Sequence, residues 1–199
     1  MKTETFMDYK FLYRGLLRII FTPGKAWDII TEENRSVKYL RNNFLYPIII
    51  LVSLAVFAGS IIFTNKNLSP VYSIMTGVKY FLLFMLVAYS SALVLSEITK
   101  PLDLGKNFTT SFRLIVYSLT PLFLCQMASH LFETLIFVNI LSLYGLYIFW
   151  TGAEKMLYPP DYKKMPLLIA IFFVVSGIFF ACNWVLTTIA DRIYFNLFA

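Results

Sequence analysis

Charged residues divide the chain into long uncharged stretches. Residues 42–65, 80–96, 114–132, 134–153 and 165–190 contain no Asp, Glu, Lys or Arg. A helix crossing the bilayer needs about 20 predominantly apolar residues, range about 17–25. All five windows qualify. The pattern therefore predicts spans over about 44–64, 79–96, 113–131, 134–152 and 166–188. The second is the shortest, but Phe81, Leu82, Leu83, Phe84, Leu86 and Val87 offset the modest cost of Tyr89, Ser90 and Ser91, and Lys79 can lift its amine toward the headgroups. Windows three and four must be separated by a reversal. One continuous helix over them would be about 60 Å long, twice the hydrocarbon thickness, so the turn is expected near 130–133.

Ahead of the spans, residues 1–43 read as a cytoplasmic segment. FMDYKFLYRGLLRIIF (6–21) carries Lys10, Arg14 and Arg18 every four residues, with apolar residues between them. That is the pattern of a basic amphipathic helix lying in the headgroup plane; a helix packed beneath the bundle is the alternative. Thr22 suits an N-cap and Pro23 the first helical position, starting a short helix over about 23–33. Trp27 is expected at the membrane interface. Arg35, Lys38 and Arg41 follow at three-residue spacing. Together with Lys10, Arg14, Arg18 and Lys25 they are candidates for contact with lipid headgroups. The fold expected is an all-α integral membrane protein, a bundle of five transmembrane helices preceded by an amphipathic cytoplasmic or interfacial helical segment. Residues 191–199 would form a short external tail.

Composition sharpens this. The chain is 59% hydrophobic and only 14% charged, against roughly 45–50% and about 25% in ordinary globular domains. One small soluble core cannot hold that excess, so lipid is the second solvent. The net charge of +6 points to an anionic surface, first of all the cytoplasmic leaflet. The basic residues flank apolar spans and form no separate basic domain, so nucleic acid is not an expected partner. Counting Lys and Arg by side gives fourteen against three, with Lys66, Lys79 and Arg192 the minority. The amino terminus is thus expected in the cytoplasm and the carboxyl terminus outside. Charges of both signs in 1–43 and a long first apolar run argue for a retained anchor rather than a cleaved signal peptide. Cys125 and Cys182 lie deep in apolar runs and read as packing residues.

Four short stretches carry a resemblance. FTPGKAWDIITEE (21–33), FLYP (44–47), YSLTP (117–121) and WTG (150–152) together resemble the bacterial branch of the Yip-domain membrane family, over roughly 23–187. The resemblance implies a polytopic protein of the cell's inner membrane and carries over no activity. Eukaryotic relatives are five-span proteins of the Golgi and endoplasmic reticulum that associate with Rab-class GTPases. This sequence lacks their Asp-Leu-Tyr-Gly-Pro motif, so that association is not implied here.

Candidate chemistry is sparse. In Tyr117-Ser118-Leu119-Thr120-Pro121, the proline removes one helical hydrogen bond and frees the Tyr117 carbonyl; the Ser118 and Thr120 hydroxyls are placed to repair the loosened backbone. A packed kink is the first reading and a break lining a transport cavity the second. A serine nucleophile lacks an identifiable base. His130 and Glu133 are three apart, hydrated interface residues or a proton-linked pair, and too few for a metal cage. Gln126 and Asn183 read as interhelical hydrogen-bonding residues. Small residues four apart (Ala55 and Gly59; Ala88, Ala92 and Ser96; Gly177 and Ala181) allow close helix approach. There is no phosphate loop, zinc-protease motif or serine elbow, and no catalytic residue, metal or cofactor is expected. The first hypothesis is a non-enzymatic membrane scaffold whose partners are membrane lipids, other membrane proteins or a second copy. The alternative is a small transporter, channel or lipid-translocating protein using the kinked third span. An intramembrane enzyme would require Ser118, Gln126, His130, Glu133 and Asn183 to converge.

Overall fold

The computed structural model describes residues 9–63, 70–102, 104 and 107–198, without the side chains of 133, 134, 197 and 198. Expectations on residues 1–8, on Lys66 and Lys106 and on the Glu133 side chain lie outside these. The described chain is helical, with no strand among the described residues. Five helices are long and apolar enough to cross a membrane: Val37–Phe63, Pro70–Ile98, Phe108–Leu131, Leu135–Met156 and Asp161–Asn196. The protein is an all-α integral membrane bundle.

Two helices precede the spans, α1 (Tyr9–Phe21) and α2 (Pro23–Glu33). Thr22 stands at the junction but does not cap α2. Its hydroxyl donates back to the Arg18 carbonyl (3.3 Å), closing the last turn of α1 instead. Asn34 ends α2 in the left-handed region (φ 42°), a conformation Asn tolerates better than most residues. Span one comprises α3 (Val37–Leu40), a π turn (Arg41–Leu45) and α4 (Tyr46–Phe63). Ser36 caps it by accepting from the Tyr39 N–H (3.2 Å).

Span two is α5 (Pro70–Ile98). It starts well before the expected residue 79 because its polar residues face protein. Tyr72 Oη donates to Asp191 (3.4 Å) and Lys79 Nζ to the Thr187 hydroxyl (3.2 Å). Span three is broken into α6 (Phe108–Ser118) and α7 (Thr120–Leu131). The chain reverses at the extended Phe132 (φ −135°, ψ 97°). Span four opens as a 3-10 helix (Glu133–Leu143) before α8 (Tyr144–Met156). In that segment the Asn139 amide and Ser142 hydroxyl each bond the carbonyl three residues back, at 3.0 and 2.6 Å, the separation that 3-10 winding favours. Span five is α9 (Asp161–Phe198). Where a tail was expected from 191, the helix continues, and Tyr194 stacks edge-on with Tyr72 (5.1 Å).

The centre is formed by α4, α5 and the α6–α7 pair, with Phe84 and Phe123 edge to face at 5.2 Å. Alpha-helix α8 packs on α2 and α6, and α9 lies against α5. Close approach uses Gly59: a Cβ there would stand 1.8 Å from the His130 carbonyl oxygen. Nothing lies within 4 Å of the corresponding Gly177 position, so that small pair closes no contact of this kind.

Candidate functional site

The four stretches noted in the sequence meet at the end of the bundle that carries α1 and α2. Trp27 is fully buried, not placed at an interface. Its indole N–H donates to the Ile148 carbonyl (2.9 Å), which removes the reason for the ring to seek water. The ring lies over Gly152, where a Cβ would come within 2.4 Å of it. Tyr117 stacks edge-on with Trp27 (5.7 Å) and at a tilt against Phe44 (4.7 Å). One residue from each stretch thus enters a single aromatic cluster.

Tyr117 is also part of the wall of a cavity of about 290 Å³ roofed by α1 and α2. Lys10, Arg14 and Arg18 line it from α1, Glu33 from α2, Arg35 from the following link and Tyr39 from α3. The link is fixed by Arg113, a buried cation that enters from α6. Its Nη1 donates to Asn34 Oδ1 (2.6 Å), and its Nε (2.9 Å) and Nη2 donate to the Arg35 carbonyl. Arg35 Nε donates to Glu33 (3.1 Å), and its guanidinium lies over the Tyr39 ring (4.7 Å). The Glu33 hydrogen bond raises the Arg35 pKa above its ordinary value, so this guanidinium stays charged. Of the seven headgroup candidates, Lys10, Arg14, Arg18 and Arg35 come together here. Lys25 and Lys38 are exposed elsewhere, and Arg41 bonds Asn42 (3.1 Å) beside the Tyr46 ring.

Helix α1 shows three faces. Leu12 and Ile19 are buried against the bundle, the basic residues line the cavity, and Tyr9, Tyr13, Leu17 and Phe21 form an exposed stripe at four-residue spacing. Salt bridges tie the neighbouring elements. Lys155 pairs with Asp28 and also donates to the Gly24 carbonyl, joining α8 to α2. Lys164 pairs with Glu154 (3.0 Å), joining α9 to α8.

The break in span three is taken up in the backbone at Leu119 (φ −77°, ψ −8°). The hydroxyls of Ser118 and Thr120 are buried without hydrogen-bond partners. They do not perform the repair expected of them, because the turn at Leu119 accommodates Pro121 without side-chain help. The Ser118 carbonyl instead lies against Gly145, where a Cβ would be 2.4 Å away. Ser118, Leu122 and Gln126 line a mostly apolar groove of about 300 Å³, closed opposite by Phe149, Phe172 and Phe179. Gln126 Nε2 donates to Asn139 Oδ1 (3.1 Å) within it.

His130 belongs to a third cavity, of about 270 Å³, at the other end of the bundle, with Tyr72, Lys79, Thr187 and Asp191. Its ring meets Tyr80 edge-on (4.7 Å). The sequence candidates are therefore distributed. Tyr117 faces the basic cavity, Ser118 and Gln126 the groove, and His130 the far cavity. Thr120 and Pro121 are buried in the wall, and Asn183 leaves its Oδ1 buried and unpartnered on α9. No group of three or more His, Cys, Asp or Glu that could hold a metal occurs among the described residues. Arg113 and Asp191 carry no motif in the sequence, and Lys79 stands there only as a residue able to reach the headgroups. The available signal was their position at the edges of apolar windows that the helices overrun.

No curated protein and no solved structure matched the chain. The family profile of the Yip1 domain matches residues 17–188, a range that takes in all four stretches, the first four spans and most of the fifth. With Trp27, Phe44, Tyr117 and Gly152 drawn from those stretches into one cluster, the chain belongs to the Yip1 domain family.

Proposed function

We propose that the protein is a non-enzymatic, multi-pass component of the inner membrane that organises its surroundings by holding anionic lipid headgroups at the cytoplasmic face and by binding neighbouring membrane proteins. The observation that carries the reading is the basic cavity. Four cations, Lys10, Arg14, Arg18 and Arg35, line a space of about 290 Å³, with Glu33 as the one carboxylate in its wall among the described residues. Guanidinium groups pair with phosphate oxygens through paired N–H donors, and each basic residue near an anionic surface contributes about 1 kcal/mol. The Lys and Arg asymmetry supports a cytoplasmic amino terminus and an external carboxyl terminus. The stripe of Tyr9, Tyr13, Leu17 and Phe21 supports a helix resting in the interface. The dispersal of Ser118, Gln126, His130 and Asn183 favours a non-enzymatic role. Native mass spectrometry of the purified protein titrated with phosphatidylglycerol and phosphatidylcholine tests the reading. The anionic lipid is expected to bind about tenfold more tightly, and Arg14→Gln with Arg35→Gln should erase the difference. Equal binding of both lipids by the unaltered protein would count decisively against it.

One observation favours a second reading, a lipid-translocating protein. The kinked span lines a mostly apolar groove of about 300 Å³, with an amide pair inside. That reading predicts transbilayer movement of labelled lipid in proteoliposomes, slowed when Leu122→Trp fills the groove. Movement no faster than in protein-free vesicles removes it.

A further inference from the structure

The cavity at the end of the bundle away from α1 carries opposite charges that do not meet. Lys79 on α5 and Asp191 on α9 both line it. No nitrogen–oxygen distance between them falls within ion-pair range among the described residues. Lys79 Nζ has one hydrogen-bond acceptor there, the Thr187 hydroxyl (3.2 Å), and lies 4.6 Å from the Tyr80 ring centre. Asp191 accepts from Tyr72 Oη at 3.4 Å. Two spare ammonium N–H donors and a carboxylate with unused lone pairs therefore face one space of about 270 Å³. Separated charges at the rim of a bilayer are costly unless something completes them.

The occupant's charge follows from the pair. A simple anion at Lys79 would face the Asp191 carboxylate, and a simple cation at Asp191 would face the ammonium. A zwitterion satisfies both and brings no net charge. We propose that this cavity binds a phosphate joined by a short linker to a primary ammonium. The phosphate sits at Lys79 with His130 beside it, and the ammonium sits at Asp191. The order along the helices agrees. Helices α5 and α9 run in opposite directions, and Thr187 pairs with Lys79 as Asp191 pairs with Tyr72. Tyr72 lies two turns nearer the end of the bundle than Lys79, about 10 Å at 1.5 Å per residue. The negative protein group is thus outermost and the positive one deeper. In an aminophospholipid of that leaflet the phosphate adjoins the chains and the amine is terminal, which is the complementary order. The site is independent of the basic cavity at the other end, which has a different charge pattern.

The test is native mass spectrometry of the purified full-length protein, titrated with phosphatidylethanolamine, its N-acetyl derivative and phosphatidylglycerol. The last two keep the phosphate and lack the ammonium. The unaltered protein is expected to bind phosphatidylethanolamine about tenfold more tightly than either. Asp191→Asn should bring it level with them, and Lys79→Met should weaken all three. Competition by soluble glycerophosphoethanolamine at millimolar concentration would assign the site to the headgroup from either source. Retention of the lipid against that competitor would assign it to membrane lipid. Equal binding of phosphatidylethanolamine and its N-acetyl derivative by the unaltered protein overturns the proposal, with no variant needed. A preference that survives Asp191→Asn in a folded variant overturns it as well.

Discussion

At the scale of single residues, the informative positions are those where chemistry and packing disagree. Thr120 is fully buried and its hydroxyl has no partner. Burying a hydroxyl without compensation costs about 1–3 kcal/mol by mutational measures, and valine has nearly the same shape. Thr120→Val is therefore expected to leave stability unchanged or raise it by about 1 kcal/mol, read as the midpoint of thermal unfolding in detergent. A clear loss would mean that the hydroxyl serves a partner. Arg113 is the opposite case. It is nearly as buried, but its donors go to Asn34 and to the Arg35 carbonyl. Nothing in its sequence neighbourhood distinguishes these roles. The sequence suggests a repair role for Thr120 and none for Arg113, because a hydrogen-bond partner 79 residues away leaves no local pattern.

Among the helices, α2 shows which interaction docks an element and which only trims it. Trp27 fills the space over Gly152 with its N–H satisfied. The Lys155–Asp28 pair beside it has side chains 36% and 55% exposed. Exposed pairs contribute about 0.2–1 kcal/mol, whereas truncating a buried aromatic costs about 3–5 kcal/mol. Trp27→Ala should release α2 and make the segment before span one sensitive to protease, while Lys155→Ala should change little. The reverse ranking in a limited-proteolysis comparison would refute this assignment. Element limits were legible to unequal degree. The start of α2 at Pro23 and the break near Pro121 follow from proline chemistry. The extra length of α5 and α9 does not, because Lys79 and Asp191 look like terminators in sequence and lie within helices only where Thr187 and Tyr72 of the facing helix bond them.

For the molecule as a whole, the uncharged windows specify five spans without help from tertiary structure, since the lipid core excludes charge from the sequence directly. The candidate sites were less legible. Three of the basic residues of the cavity lie on α1 and the fourth, Arg35, on the link after α2, and nothing in the sequence shows the two coming together beside Tyr117. Orientation is the whole-molecule prediction. With Cys125→Ala and Cys182→Ala as background, Lys25→Cys should react with an impermeant thiol reagent only when the cytoplasmic face is open. Labelling from outside intact cells would invert the topology.

The seating of Trp27 has a consequence in time. The residues that hold it, Ile148 and Gly152, emerge from the ribosome some 120 residues after it. At about 5–20 residues per second that delay is roughly 6–24 s. Throughout it, α2 has been synthesised but its socket has not. Helix α2 must therefore wait without its socket until the fourth span is made, held only through α1 and through the Arg113 contacts to the link that follows it. The basic cavity between α1 and α2 is in this sense a late product of assembly, although almost all of its lining is encoded first.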